Sequence, residues 1–280
     1  MKKLETFTAD PIISCENYVS TSNINNLELF SRITKKLKIS LLVIEDLDIE
    51  NRNNLISSAA TEDYFLTSLT NICHNVMNEE RNLVDLKQIV RDEIISKHFN
   101  LRVIISRKTL EEDSIEKLKK KLSEIREKYE IIAVKSNDIK VLKWAAHDRR
   151  VDYIVVDLLS EQIPIDKALC SLMKQHKKSF ELILSPLLLK DSKRMSVAIR
   201  IGKKIFKLIN STNTPFILTM KPDSCFHMRN GIQIRYLAEL IDIPFNKSKN
   251  CVFDDQLSIS LRNSLKLEDS HVVEGIREVA

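Results

Sequence analysis

Short apolar runs alternate with helical periodicity along most of the chain. Leu101–Ser106 (LRVIIS), Glu130–Val134 (EIIAV), Val151–Asp157 (VDYIVVD), Phe180–Leu184 (FELIL) and Pro215–Met220 (PFILTM) are nearly continuous apolar stretches rich in β-branched residues, and they predict strands. The segments Glu111–Lys128, Asn137–Asp148, Ile165–His176, Asp191–Asn210 and Gly231–Ile241 each follow one of these strands. Their apolar residues fall on one side of a helix, as Ile115, Leu118, Leu122 and Ile125 do. Strands without a polar face, alternating with amphipathic helices, imply a parallel sheet covered by helices. Two more strands are predicted upstream, Phe7–Ile13 and Ile39–Ile44 (ISLLVI), on either side of a helix over Asn25–Leu37. An open doubly wound sheet is the competing arrangement. Seven or eight strands in β/α order within 280 residues favour a TIM-like α/β barrel, read as a single domain over 1–280.

The rhythm breaks between Asp48 and His98. That stretch is rich in Asn and shows no convincing strand, yet Phe65, Leu69, Ile72 and Val76 recur at helical spacing. It is expected to be a helical insertion after the second strand, over 48–98, or a partly mobile excursion.

Hydrophobic residues make up 43% of the chain, enough for a substantial core. Only 3 glycines are present, which argues against a fold built on Gly-rich phosphate loops, where backbone must approach the ligand closely. No apolar run is long enough to span a membrane, and no secretory signal is expected at the N-terminus. The 5 cysteines are scattered without C-x-x-C spacing. Disulfide and zinc frameworks are therefore not expected, and a reducing, cytoplasmic setting is the simplest one.

Charge changes the picture more. The net charge is +5, and it is unevenly placed. Acids outnumber bases in the first hundred residues and bases outnumber acids afterwards. Between Lys190 and Arg235 the only acids are Asp191 and Asp223. The helix predicted over Asp191–Asn210 carries Lys193, Arg194, Arg200, Lys203, Lys204 and Lys207, of which Lys193, Arg200, Lys204 and Lys207 share a face. Such a row suits RNA phosphates bound electrostatically and in a salt-sensitive way. It also suits an ordinary solvated outer face, although helix charge is usually balanced by Glu and this helix has none. Lys221, Arg229 and Arg235 follow the next strand, and Arg149 and Arg150 precede another. Trp144, the only Trp, is expected in the core, and no basic–aromatic interleaving suggests a base-stacking platform.

Catalytic signals are sparse. The histidines form neither H-x-H nor H-E-x-x-H, and no G-x-S-x-G is present. Cys225 and His227 are close in sequence without any implied geometry. Asp10, Glu45, Asp46, Asp157 and Asp223 lie at predicted strand ends, where a ring of acids could hold Mg²⁺ or simply cap the following helices. Asp152, at the start of its strand, reads as structural. No catalytic or metal residue is assigned. Three readings stay open: an RNA-binding barrel, a metal-dependent phosphoesterase with metal near Asp10, Asp157 and Asp223, and a protein-docking barrel whose charge serves solubility.

From Arg150 onward the chain resembles the family of ribonuclease P protein component 3, the archaeal relative of the barrel-shaped subunit of the eukaryotic enzyme. The resemblance is carried by Arg150-Val151-Asp152, by Phe180-Glu181-Leu182-Ile183-Leu184-Ser185-Pro186-Leu187-Leu188, and by the helix opening at Lys193-Arg194. The Pro215 strand, Met228-Arg229, Arg262-Asn263 and Val273-Glu274-Gly275-Ile276 complete it. Where that family has a run of small residues, this chain has Thr219-Met220-Lys221. The resemblance implies a barrel related to metal-dependent phosphoesterases but without their metal histidines. It implies a subunit that supports a catalytic RNA, an endonuclease and hydrolase acting on the 5′ leader of precursor tRNA. The implied partners are ribonuclease P RNA, component 2 and other protein subunits, and precursor tRNA indirectly, with no membrane. No cofactor is expected in the chain itself, and Mg²⁺ is expected with the RNA. The candidate RNA contacts are Arg150, Lys193, Arg194, Lys203, Lys204, Lys221, Arg229 and Arg262, and replacing Lys193, Lys204 and Arg229 by Ala is expected to weaken RNA binding.

Overall fold

In the computed structural model the residues described are 17–20, 33–39, 41–58, 65–76, 83–96, 101–160, 164–222, 227–267, 271–273 and 276–277. The chain opens with β1 (Asn17–Ser20), a short helix α1 (33–37) and β2 (Leu41–Glu45). Then come α2 (Ile49–Ser58), β3 (Phe65–Thr67), α3 (Leu69–Val76) and α4 (Leu83–Ser96). From β4 (Leu101–Glu111) the alternation is regular: α5 (Ile115–Ile125), β5 (Ile131–Lys135), α6 (Ile139–His147), β6 (Tyr153–Val156) and α7 (Lys167–Gln175). It continues through β7 (Ser179–Ile183), α8 (Ser192–Thr212), β8 (Phe216–Thr219) and α9 (Gly231–Glu239). Two helices, α10 (Phe245–Val252) and α11 (Asp254–Lys266), and a small antiparallel pair, β9 (His271–Val273) with β10 (Ile276–Arg277), complete it.

The strands β1 to β8 form one sheet with parallel pairing throughout, in the order β1-β2-β4-β5-β6-β7-β8, with β3 beside the first residues of β4. This is the α/β architecture expected from the alternation, and it is consistent with a TIM-like barrel. The predicted strand Phe7–Ile13 and the start of the helix predicted over Asn25–Leu37 lie outside the described residues.

Side chains alternate between the two faces of the sheet. Ile132, Val134, Ile154, Val156, Phe180 and Leu182 pack under helices α5 to α10. Val43, Ile105, Ile131, Tyr153 and Ile217 face the other way, toward α3, α4 and α11. On this second face the guanidinium of Arg107 in β4 reaches the carboxylate of Glu181 in β7. In a flat sheet β4 and β7 would lie about 14 Å apart. The contact therefore requires the sheet to curl, with this face inside. Among the described residues no pairing joins β8 to β1.

The stretch between β2 and β4 holds a strand that the sequence did not suggest, β3, together with three helices. Ile72, Cys73, Leu86, Val90 and Ile94 from α3 and α4 belong to the inner apolar cluster.

Helix starts are set by short polar side chains. Ser114, Asp138, Asp166 and Asp191 cap α5, α6, α7 and α8, and Asn230 with Gln233 forms a capping box on α9. Helix α8 lies so close to its neighbour that a Cβ on Gly202 would sit 2.5 Å from Ile241 Cγ2. In an exposed helix Ala is favoured over Gly by about 1 kcal/mol. Here Gly202→Ala should instead destabilise the protein by about 1–3 kcal/mol through overpacking. The urea midpoint reads this directly, and a rise in midpoint would show that Ile241 yields freely.

Candidate nucleic-acid interface

The most strongly charged element is α8. Asp191 Oδ1 accepts from the backbone N–H of Lys193 (2.9 Å) and Arg194 (3.3 Å), and Asn213 ends the helix in the left-handed region at φ 51°. Ala198, Ile201, Gly202, Ile205, Phe206 and Ile209 form its buried stripe. The 3.6-residue period then fixes the opposite face as outward. Lys193, Arg200, Lys204 and Lys207 lie along that face, all exposed, with Arg194 and Lys203 to either side. Lys203 pairs with Asp242 at 2.7 Å. The other five have no ion pair among the described residues.

The eight candidate RNA contacts do not form one surface. Lys193, Arg194, Lys203 and Lys204 are on α8. Lys221 and Arg229 follow β8, at the C-terminal end of the sheet, where Arg229 is half-buried and donates to the carbonyl of Met228 at 2.8 Å. Arg150 and Arg262 sit at the opposite end of the strands. Arg150 grips Asp148 through Nε (2.9 Å) and Nη2 (2.7 Å), and these hydrogen bonds hold its guanidinium above its ordinary value. Arg262 lies 3.9 Å from Asp152. Their charge answers neighbouring carboxylates instead of opening to solvent with the α8 row.

At the C-terminal ends of the strands, the described acids among those considered as metal ligands, Glu45, Asp46 and Asp157, are each engaged. Glu45 accepts from Thr109 Oγ1 (3.0 Å) and lies 3.3 Å from Arg107 Nε. Asp46, with φ 61°, pairs with Lys108. Asp157 pairs with Lys135 at 3.1 Å and caps the following turn by accepting from Leu159 N. Burial opposes the charge on Lys135, but Asp157 and Glu111 outweigh it and raise its pKa. A cavity of about 150 Å³ opens here, lined by Arg107, Thr109, Lys135, Asp157 and Lys221 among others. Among the described residues no group of three His, Cys, Asp or Glu side chains is placed to hold a metal ion. Asp10, Asp223 and Cys225 lie outside the described residues, and His227 is exposed on the connection after β8.

Sequence reasoning missed two buried networks. The first is the Arg107–Glu181 pair, which Thr219 Oγ1 extends by donating to Glu181 (2.8 Å). Its signal was Glu181, the one charged residue inside the apolar run Phe180–Leu184. The second lies at the N-terminal rim. Glu130 accepts from Ser106 N (2.8 Å) and Ser264 Oγ (2.6 Å) and pairs with Arg52. Asp152 accepts from Ile132 N (2.9 Å) and Asn263 Nδ2 (2.8 Å). These bonds fasten α11 to the sheet, which agrees with the structural role expected of Asp152.

Lys178 belongs to this rim. Its Nζ donates to the carbonyls of Ala145 (3.0 Å) and Asp148. Burial pushes the ammonium down to about 8 from an ordinary 10.5, against the pull of Asp152 and Asp148. Between these two values the unfolded chain holds a proton that the folded chain has released. Stability from this group is therefore reduced below about pH 8 and rises through that window. Urea unfolding at a series of alkaline pH values should show a steeper rise for the wild type than for Lys178→Met. Parallel curves would show that Lys178 titrates normally.

A family model described as RNase P subunit p30 matches residues 24–267. Among solved structures, a chain in the cryo-EM structure of archaeal ribonuclease P with mature tRNA is 17% identical, with a TM-score of 0.58, over 86% of this chain and 98% of that one. A crystal structure of an uncharacterized protein is 9% identical, with a TM-score of 0.51, over 89% of this chain and 74% of the other. A search of curated proteins gives no significant match. At these identities the structural likenesses speak for the fold. Among the described residues no helix is long and apolar enough to cross a membrane.

Proposed function

The chain belongs to the RNase P subunit p30 family, and on that footing we propose that it binds RNA within ribonuclease P and helps the catalytic RNA remove the 5′ leader of precursor tRNA. The observation that carries the RNA-binding part is α8. It is a helix of 21 residues with no acid inside its bounds and a line of exposed Lys and Arg along its outer face. RNA that folds compactly crowds its own phosphates, and fixed cations relieve that repulsion. The chain contributes counter-charge and leaves the chemistry to the RNA and its Mg²⁺. Lys193, Arg194, Lys203 and Lys204 are the primary contacts, and Lys221 and Arg229 form a secondary group near the strand ends.

The same reading takes 1–280 as one domain, a closed barrel of seven or eight strands with 48–98 as a helical insertion. The inner cluster that α3 and α4 share with β2, β4 and α11 supports a single domain. It places the particle in the cytoplasm, with component 2 and other protein subunits as neighbours. The metal-dependent phosphoesterase reading draws no support from the strand ends, where Glu45, Asp46 and Asp157 face Arg107, Lys108 and Lys135.

Reconstituted cleavage of precursor tRNA, with and without this chain, tests the proposal. Omitting the chain at limiting Mg²⁺ should slow 5′ cleavage by about tenfold or more, at least ~1.4 kcal/mol of barrier. Equal rates would overturn it.

A further inference from the structure

Every charged residue within α6, α7, α8 and α10 is basic. The nearby carboxylates stand outside the helix bodies: Asp138, Asp166 and Asp191 serve as caps, Asp166 also pairing with Lys143 at 2.7 Å, and Asp242 pairs with Lys203 at 2.7 Å. The four helices adjoin one another. Helix α7 packs between α6 and α8. Helix α10 meets α8 through Lys247, whose Nζ donates to Asn210 Oδ1 and lies 5.7 Å from the Phe206 ring. In other helices such as α5 and α4 acids and bases mix: α5 carries Glu116 and Glu124 among its lysines, and α4 carries Asp85, Asp92 and Glu93. Like charges repel, so four adjoining helices that hold only basic charges within their bounds, of which Lys143 and Lys203 pair with acids beyond them, work against folding and are best explained by a polyanion that covers them.

We infer that this outer wall as a whole, beyond α8 alone, is the surface on which an RNA duplex lies. The inference rests on the ribonuclease P reading above. The large apolar side chains exposed among the described residues are Leu188, Tyr236 and Leu240, and all three lie outside the four helices. Tyr236, packed against Phe245 of α10 at 4.8 Å, stands at the wall's margin, and across α6, α7 and α8 the wall thus lacks the aromatic platforms that single strands stack on. It also lacks the apolar face that a helix sinks into a lipid surface. What it presents is separated cations on a broad support, which matches backbone recognition of a duplex. From Lys193 to Lys207 the row is about 20 Å long. Neighbouring helix axes about 8–10 Å apart extend it sideways across α7 to α6.

Lys140 on α6 and Lys174 on α7 test the sideways extension, because both are exposed and neither belongs to α8. The full chain is titrated into a labelled RNA duplex of about 16 base pairs, with one strand alone and anionic phospholipid vesicles as comparisons. The double reversal K140E/K174E should weaken duplex binding about tenfold. It should also flatten the slope of log affinity against log salt by roughly 0.9 for each phosphate no longer neutralised. K140Q/K174Q should act in the same direction to a smaller extent, and an unchanged melting temperature verifies the fold. If K204E/K207E weakens binding while K140E/K174E does not, the wall fails and the α8 reading stands. Absence of duplex binding by the wild type, or tighter binding to the single strand or to vesicles, also overturns the wall. Neither outcome alters the comparison of cleavage with and without the chain, so the two readings fail separately.

Discussion

Glu181→Ala should lower folding stability by about 3 kcal/mol or more, because it takes from a buried guanidinium the bidentate one of its two carboxylates. Arg107 and Glu181 are 1% and 0% exposed at their side chains. The pair is bidentate, with Nη1 donating to Oε1 at 2.8 Å and Nη2 to Oε2 at 2.5 Å. Glu45 offers Arg107 a second carboxylate at 3.3 Å, which leaves the arginine one acid where the native site gives it two. Removing the arginine instead, by Arg107→Ala, leaves Glu45 and Glu181 facing a cavity. The expected signature is the contrast with the double replacement Arg107→Met with Glu181→Leu. That variant removes both charges and fills the space, so it should recover most of the stability. Urea midpoints for the three variants decide the matter. A double variant as unstable as the singles would show that the pair is held for reasons other than charge compensation.

The second large effect concerns RNA. The triple variant K193E/R200E/K204E reverses three exposed charges on one line of α8. None of the three has an ion pair among the described residues, so stability should stay within about 0.5 kcal/mol of wild type. Cleavage of precursor tRNA by the reconstituted particle should nevertheless fall about a hundredfold at physiological salt, and the deficit should narrow as salt is raised, because the wild type then loses affinity faster than the variant. The control is Arg150→Ala, which touches Asp148 at the other end of the strands. It should leave the salt dependence of cleavage unchanged. Equal activity of the triple variant at every salt concentration would remove α8 from the RNA interface.

Much of this fold was legible because its strands are buried on both faces. Phe180–Leu184 and Pro215–Met220 announce themselves as apolar runs, and β7 and β8 sit within one residue of each end of those stretches. Strand β4 was cut short at Ser106 because Arg107 and Lys108 interrupt the apolar run. The strand continues to Glu111 since Arg107 turns into a curled sheet where Glu181 awaits it. Helix α11 escaped notice for a related reason. Gln256, Ser260, Asn263 and Ser264 are polar yet buried, and two of them bond to Asp152 and Glu130. Leu257, Leu261 and Leu265 do join the inner apolar cluster at helical spacing, but polar residues fill the rest of the buried side and blur the amphipathic pattern. Strand β3 is three residues long and pairs only with the start of β4, too short for any periodicity.

The site divides in the same way. The α8 row was readable because helical period alone decides which lysines face outward. Arg150 and Arg262 were not, because their exposure depends on where Asp148 and Asp152 stand in space. Arg262 meets an acid more than a hundred residues away in sequence. Composition gives the charge of a segment, and only the fold tells which charges are already answered.

The most direct measurement is the affinity of the chain for ribonuclease P RNA across a salt titration, wild type against K193E/R200E/K204E. A steep wild-type dependence, made shallower by about 0.9 for each of three phosphates left without a cation, is the expected result. Superimposable salt slopes would contradict a phosphate-binding role for α8.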